Sequence, residues 1–189
     1  AYVAAIGNIW APIGERGSFK TQDGAATWTK LAGGLPDDPT TGAIDLVMDP
    51  VNPELLYVTF WQRIRYPWVL KSGGPNSGLF KSTNGGRTWT KLAKGLPEGD
   101  LGRIGIAVSR SNPKVLMAHV EHGFQPPQFL PNPNAPDAGR GGGGGGRGGG
   151  GGTPNPDYAD MTKLGAGMYR SEDGGATWTF LDRVISRPF

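Results

Sequence analysis

The chain has 189 residues, a net charge of +3 at neutral pH and no cysteine. That length can bury a sizeable core. The missing thiols exclude a disulfide framework or thiolate metal site, the small charge excess argues against a nucleic-acid-binding face, and no apolar run approaches the ~20 residues of a membrane-spanning helix.

In chain order, Tyr2–Ile6 reads as a strand. A chain that enters a strand at once, without an initiating Met, looks like a mature or excised segment. A loop follows at 7–14, carrying Trp10. Ser18–Lys20 and Thr27–Leu31 then make a hairpin around Thr21-Gln-Asp-Gly-Ala-Ala-Thr-Trp28. A connector at 33–40 leads to an apolar strand, Ala43–Met48, a two-proline turn, Asp49–Pro53, and a strand, Leu55–Trp61. A long connection at 62–77 precedes a second hairpin, Gly78–Leu92, around Ser82-Thr-Asn-Gly-Gly-Arg-Thr-Trp89.

The unit then recurs. Gly95-Leu-Pro97 echoes Gly34-Leu-Pro36, Ile104–Val108 echoes Ile44–Met48, Ser111-Asn-Pro113 echoes Val51-Asn-Pro53, and Val115–Val120 echoes Leu55–Phe60. A third hairpin carries Ser171-Glu-Asp-Gly-Gly-Ala-Thr-Trp178. Trp28 and Trp89 are 61 residues apart, Trp89 and Trp178 are 89 apart, and the extra length falls at 124–163. Within it, 12 of the 14 residues from 139 to 152 are Gly, so nothing there buries enough apolar area to offset chain entropy. It reads as a disordered loop insertion, not an RNA-binding tract, because aromatics are not interleaved.

The repeated stretch has a clear physical reading. Alternating residues on either side suit two-faced strands. Asp23, Asn84 and Asp173 can each bond nearby backbone N–H groups, and Gly supplies the positive φ of a tight reversal. Trp28, Trp89 and Trp178 then offer large apolar surfaces to a neighbouring layer. Four strands per unit at this spacing suit propeller blades.

The pattern Ser-x-Asp-x-Gly-x-Thr-Trp resembles the Asp-box, or BNR repeat, of sialidase-like and sortilin-like β-propellers. The third copy fits fully. The second has Asn84 for Asp, and the first has Thr21 for Ser and Ala25 for Gly. Thr41-Gly-Ala-Ile-Asp-Leu-Val-Met-Asp-Pro50, Leu101-Gly-Arg-Ile-Gly-Ile106 and Ser111-Asn-Pro113 look like the bacterial exported relatives of the sortilin type, often labelled glycosyl hydrolases. The resemblance implies an all-β fold: a β-propeller segment of about three four-stranded blades, incomplete and open. Residues 1–42 hold the last three strands of a first blade plus a connector, 43–102 a second blade plus connector, and 103–189 a third. Closed propellers typically have at least four blades, so the remaining blades of a parent chain, or other protein chains, are the expected partners. An extracellular or periplasmic bacterial location follows from the same resemblance.

In an up-and-down blade the repeated turns lie at one end, and the long connections lie at the other. Long, varied loops on a rigid scaffold are the usual place for binding. Trp61, Arg63, Arg65, Tyr66 and Trp68 form the most suggestive stretch, with Trp10 and Arg103 beside it; together they can stack sugar rings or clamp carboxylates. The plainer alternative is that the aromatics pack between blades and the arginines are solvated. His119 and His122 lack the further donor zinc requires, so no metal and no cofactor are expected. Asp100 and Asp45 are weak candidates for an acid–base pair in glycoside hydrolysis, with Asp49 and Glu98 nearby in sequence. The default for Asp100 is an ion pair with Arg103. The sequence therefore reads as a non-enzymatic peptide-, protein- or glycan-binding module of a larger exported protein. The alternatives are a fragment of a xyloglucanase-like glycoside hydrolase or a structural subunit completed by other chains.

Overall fold

The computed structural model describes residues 1–12, 15–67, 69–122 and 165–182, with backbone alone at Val69. The glycine-rich stretch and Trp68 lie outside the described residues. The described residues form twelve strands. The first sheet joins β1 (Tyr2–Ala5), β2 (Gly17–Lys20) and β3 (Thr29–Lys30). The second joins β4 (Thr41–Met48), β5 (Leu56–Tyr66), β7 (Gly78–Ser82) and β8 (Thr90–Leu92), with β6 (Val69–Ser72) paired to the far end of β5. The third runs β9 (Leu101–Val108), β10 (Leu116–His122), β11 (Gly167–Ser171) and β12 (Thr179–Asp182). All pairings are antiparallel.

Two cores separate the sheets, and the alternation of β5 divides its side chains between them. Leu56, Val58 and Phe60 join Ala43, Phe80 and Trp89 against Tyr2, Ala4, Leu31 and Leu35 of the first sheet and its connector. Tyr57, on the other face, joins Leu79, Leu96, Ile104, Leu116 and Trp178. A strand buried on both faces reads as a continuous apolar run, which is how Leu55–Trp61 reads in the sequence.

Each repeated turn is closed by the same bonds. In the third, Ser171 Oγ accepts from the Gly175 amide at 2.8 Å and Asp173 Oδ1 accepts from the Thr177 amide at 2.9 Å. In the second, Ser82 Oγ accepts from Gly86 at 2.9 Å and Asn84 Oδ1 from Thr88 at 2.9 Å. In the first, Thr21 Oγ1 accepts from Ala25 at 3.0 Å and Asp23 Oδ1 from Thr27 at 3.0 Å. The substitutions of Asn for Asp and Thr for Ser keep the acceptors of the two backbone amides in place, while Asn84 Nδ2 donates to Thr88 Oγ1 at 2.7 Å where the aspartates accept from the matching threonine hydroxyl. Ala25 adopts φ 74°, the left-handed geometry that Gly86 and Gly175 hold at 84° and 85°, at a conformational cost a glycine avoids.

Two expectations need correction. The stretch 62–77 is not simply a long connection: β5 continues to Tyr66, and β6 returns along it, pairing Arg63 with Ser72 and Tyr66 with Val69. Ile64 stays buried between the two arginines, so its apolar side chain anchors an otherwise polar hairpin. Nor is every repeated Trp a core anchor. Trp89 and Trp178 are 6% and 5% exposed, whereas Trp28 is 42% exposed. Trp89 is covered by the first sheet and Trp178 by the second; no described sheet lies before the first to cover Trp28.

Trp89→Ala or Trp178→Ala should therefore cost about 3–5 kcal/mol in denaturant unfolding, and Trp28→Ala less than about 1 kcal/mol. Acid stability offers a second check. The hydroxyl and amide of Thr27 and the hydroxyl of Thr21 lower the Asp23 carboxyl to about 2, and the matching groups of Thr177 and Ser171 hold Asp173 lower still. Because the folded values lie below the unfolded ~3.9, this stability is present above about pH 4 and is lost as pH falls through the folded values. Melting temperature should drop across that window. Asp23→Asn, which the second turn already tolerates at Asn84, should flatten part of the drop.

Candidate functional site

The two ends of the sheets differ in construction. At one end the repeated turns sit against the neighbouring two-proline and Asn-Pro turns: the Gly85 amide donates to Glu54 O at 2.9 Å and the Gly174 amide to Lys114 O at 2.9 Å. The first-to-second-strand turns and the hairpin turns thus share that end. The turn at 73–77, the connector at 93–100 and the described part of the loop after β1 lie at the other, where the Gly74 amide donates to Leu101 O at 3.1 Å.

One residue organises this second end. Arg16, 2% exposed, donates from Nη1 to Thr40 O at 2.9 Å and Arg63 O at 2.8 Å. Its Nη2 donates to Asn8 O, and to Ala11 O at 3.4 Å. One guanidinium therefore ties together the loop after β1, the connector before β4 and the upper part of β5. Burial lowers its pKa, opposed by the charge of Asp38. Burial would raise the Asp38 carboxyl, yet bonds from Thr40 and Thr41 and the charge of Lys71 bring it below its ordinary value. The Arg65 amide donates to Ile9 O at 2.7 Å, stitching the Trp10 loop to the edge of β5.

The aromatic and basic side chains expected here are brought together in pairs. The Arg63 guanidinium lies 4.3 Å from the Trp61 ring centre and that of Arg65 5.4 Å from Trp10. Such contacts hold a planar cation in one orientation. Trp10 is 57% exposed, Tyr66 is part-exposed and Trp61 is buried. The Arg63 pKa is lowered by burial and by the like charges of Arg65 and Arg103, with Glu121 opposing. Among the described residues, the buried side-chain polar atoms without a partner are Nε of Arg16 and Arg63, Nε1 of Trp61, Oε1 of Gln62 and Oγ1 of Thr59. All sit on β5 or on the arginine bonded to it.

The carboxylates are placed differently. Asp45 Oδ2 accepts from the Ile106 amide at 3.0 Å, joining the second sheet to the third. Asp49 caps its own turn through the amides of Val51 and Asn52 at 2.8 and 2.9 Å. Asp100 acts electrostatically on Lys91, and no ion pair joins it to Arg103 among the described residues; the charge of Arg103 is felt at Arg63 instead. The His122 ring lies 3.3 Å from Glu98 O, and His119 pairs with Met168 and Gly105 within its sheet. No group of three His, Cys, Asp or Glu side chains among the described residues could hold a metal ion.

Sequence reasoning missed Arg16. A single arginine in a glycine-flanked loop carries no spacing signal, since its partners are backbone carbonyls. The extension of β5 did have a signal, the alternation Gln62-Arg-Ile-Arg-Tyr66.

No protein-family model matches the chain, and no curated protein matches it. Among solved structures the chain is similar to the GH74 xyloglucanase from Xanthomonas campestris, with a TM-score of 0.52 and 16% identity over 92% of this chain. That protein is a β-propeller. The match covers 18% of its chain, so this chain spans less than a fifth of it. Such a likeness shows the fold: three antiparallel sheets that are blades of an open, incomplete β-propeller.

Arg16→Lys should lower unfolding stability by several kcal/mol, since roughly 1.5–3 kcal/mol attends each charged bond lost. Hydrogen exchange should then quicken at the Arg63 and Arg65 amides but not at the repeated turns.

Proposed function

We propose that this chain is a non-enzymatic binding module, part of a larger exported Asp-box protein of the sortilin-like type. Its ligand face is the propeller end opposite the repeated turns, and its ligand is a peptide, protein or glycan carrying carboxylate groups. The observation that carries this reading is the pair of arginines on β5, Arg65 on the exposed Trp10 and Arg63 on Trp61, joined electrostatically by Arg103. Three guanidinium groups gathered around few acids repel one another, and an incoming carboxylate relieves that repulsion. Trp10 and Tyr66 add apolar surface for a sugar ring or an aromatic side chain. No helix among the described residues is long and apolar enough to cross a membrane; export to the periplasm or the medium is part of the proposal and rests on the family resemblance.

A second reading takes its support from the structural neighbour, whose title names a xyloglucanase. In it, Asp100 and Asp45 would serve as acid and base. The bond from the Ile106 amide already occupies one Asp45 oxygen, which favours a structural role for that carboxylate. Titration of the chain with acidic and neutral oligosaccharides and peptides, followed by calorimetry, separates the readings. Trp10→Ala and Arg65→Gln should each weaken binding about tenfold, corresponding to the loss of one stacking contact that the ligand covers, without lowering the melting temperature. Turnover of xyloglucan that disappears in Asp100→Asn would replace the binding reading with the hydrolytic one.

A further inference from the structure

We propose that Asn84 is a self-modifying position: an Asn-Gly pair that deamidates through its own backbone, at a rate set by opening of the seam between the first and second blades. Of the chain's eight asparagines, Asn84 alone precedes a glycine, and four precede a proline, which lacks the N–H that this chemistry uses. The reaction is intramolecular and consumes only water. The Gly85 amide nitrogen attacks Asn84 Cγ, the side-chain nitrogen leaves as ammonia with the amide proton, and a succinimide ring closes. Water then opens the ring at Cγ, giving aspartate, or at the main-chain carbonyl, giving isoaspartate with one more carbon in the backbone. A glycine after the asparagine favours ring closure, because no Cβ obstructs the approach and its backbone is unrestricted.

The fold requires this pair and also holds it shut. Gly85 has φ 67°, and a Cβ built on it would lie 2.8 Å from Glu54 Oε2, so a bulkier residue that would slow the reaction does not fit. The first and third turns keep the glycine but precede it with Asp23 and Asp173, which have no side-chain nitrogen to lose. In the second turn both reacting groups are engaged. The Gly85 amide donates to Glu54 O at 2.9 Å, and Gly85 O accepts from Tyr2 Oη and Lys20 Nζ of the first blade at 3.0 and 3.2 Å. Asn84 Oδ1 accepts from the Thr88 amide at 2.9 Å and Ser82 Oγ at 3.0 Å, and its Nδ2 donates to Thr88 Oγ1 at 2.7 Å. A nucleophile with its N–H committed and an electrophile anchored at both ends meet only when the turn leaves the seam. Gly85 is nucleophile and seam contact at once.

The two products differ in consequence. The third turn shows how an aspartate seats: Asp173 accepts from the Thr177 amide and hydroxyl at 2.9 and 2.6 Å, and from Ser171 Oγ at 2.8 Å. Opening at Cγ therefore completes the repeated pattern and keeps the seam. Isoaspartate lengthens the main chain just before Gly85 and displaces it from Glu54, Tyr2 and Lys20 together. That product loosens the seam.

The test incubates the full chain at alkaline pH, with and without denaturant. Peptide mapping that separates aspartyl from isoaspartyl forms reads conversion at position 84, and hydrogen exchange reads the Gly85 amide in parallel. Conversion in the native chain should be at least about tenfold slower than in denaturant. Tyr2→Phe, which removes a bond to Gly85 O without touching Asn84, and Thr88→Val should each speed conversion and Gly85 exchange about fivefold, for the loss of one hydrogen bond. Thr88→Ser, which keeps the hydroxyl, should leave both unchanged. The Asn84→Asp chain should melt no lower than the native one, and the purified isoaspartyl form should melt below it. Native conversion as fast as in denaturant, no conversion at position 84 in denaturant, or a Tyr2→Phe chain that converts no faster than the native one overturns the proposal.

Discussion

The seam between adjacent blades is the interaction on which the rest of this structure depends. In the second and third blades a tryptophan precedes the last strand, and its backbone amide is held by the carbonyl just before the previous blade's Gly-Leu-Pro. The bond can form only if the connector approaches within contact of the indole-bearing backbone, which excludes any Cβ at Gly34 and Gly95. The indole then fills the space between sheets, and its Nε1 is satisfied locally by Gly86 or Gly175 O at 3.0 and 3.1 Å. Burial of the ring thus leaves no polar atom stranded. Local turn, connector and core are consequently one device, repeated.

That device sets the polarity of the molecule. Because the Gly85 and Gly174 amides close onto the neighbouring turns, the second and third repeated turns are held at one end by backbone bonds that recur from blade to blade. The opposite end collects loops of unequal length and needs a different solution. Arg16 supplies it, presenting several donors to carbonyls from three segments. A guanidinium suits this task because its donors are fixed in one plane and its charge persists when burial lowers the pKa. At the variable end, the loop after β1, the connector before β4 and β5 are therefore joined through one side chain instead of through a repeated motif.

This contrast explains what could be read from the sequence. The hairpins, the inner strands and the equivalence of Gly34-Leu-Pro36 with Gly95-Leu-Pro97 were legible because each is local and repeated. The burial of Trp28 was misjudged because burial belongs to the neighbour and not to the turn; the same eight-residue pattern is covered twice and bare once. The full length of β5 was obscured by Arg63 and Arg65, whose charge reads as loop until the alternating Ile64 is given weight. Pairings such as Asp45 with the Ile106 amide join residues far apart in the chain, and no spacing rule reaches them. The basic face was visible as residue types, while its arrangement, arginine against tryptophan, depends on the Trp10 loop bonding to the edge of β5.

The strand β5 also divides into two halves of different character. Its first half, Leu56–Phe60, serves two cores at once and tolerates little change in volume. Among the described residues, side-chain polar atoms along the strand are left without partners at Thr59, Trp61, Gln62 and Arg63, each a cost to folding when buried. A sheet selected for stability alone would replace those groups by apolar ones of similar size. Three of the four lie in its second half, away from the repeated turns, where the proposed binding face would let an outside group supply the missing partner. The two-sided burial of the first half makes that cost tolerable, because the seams on either side hold the strand in place whether or not the upper end is occupied.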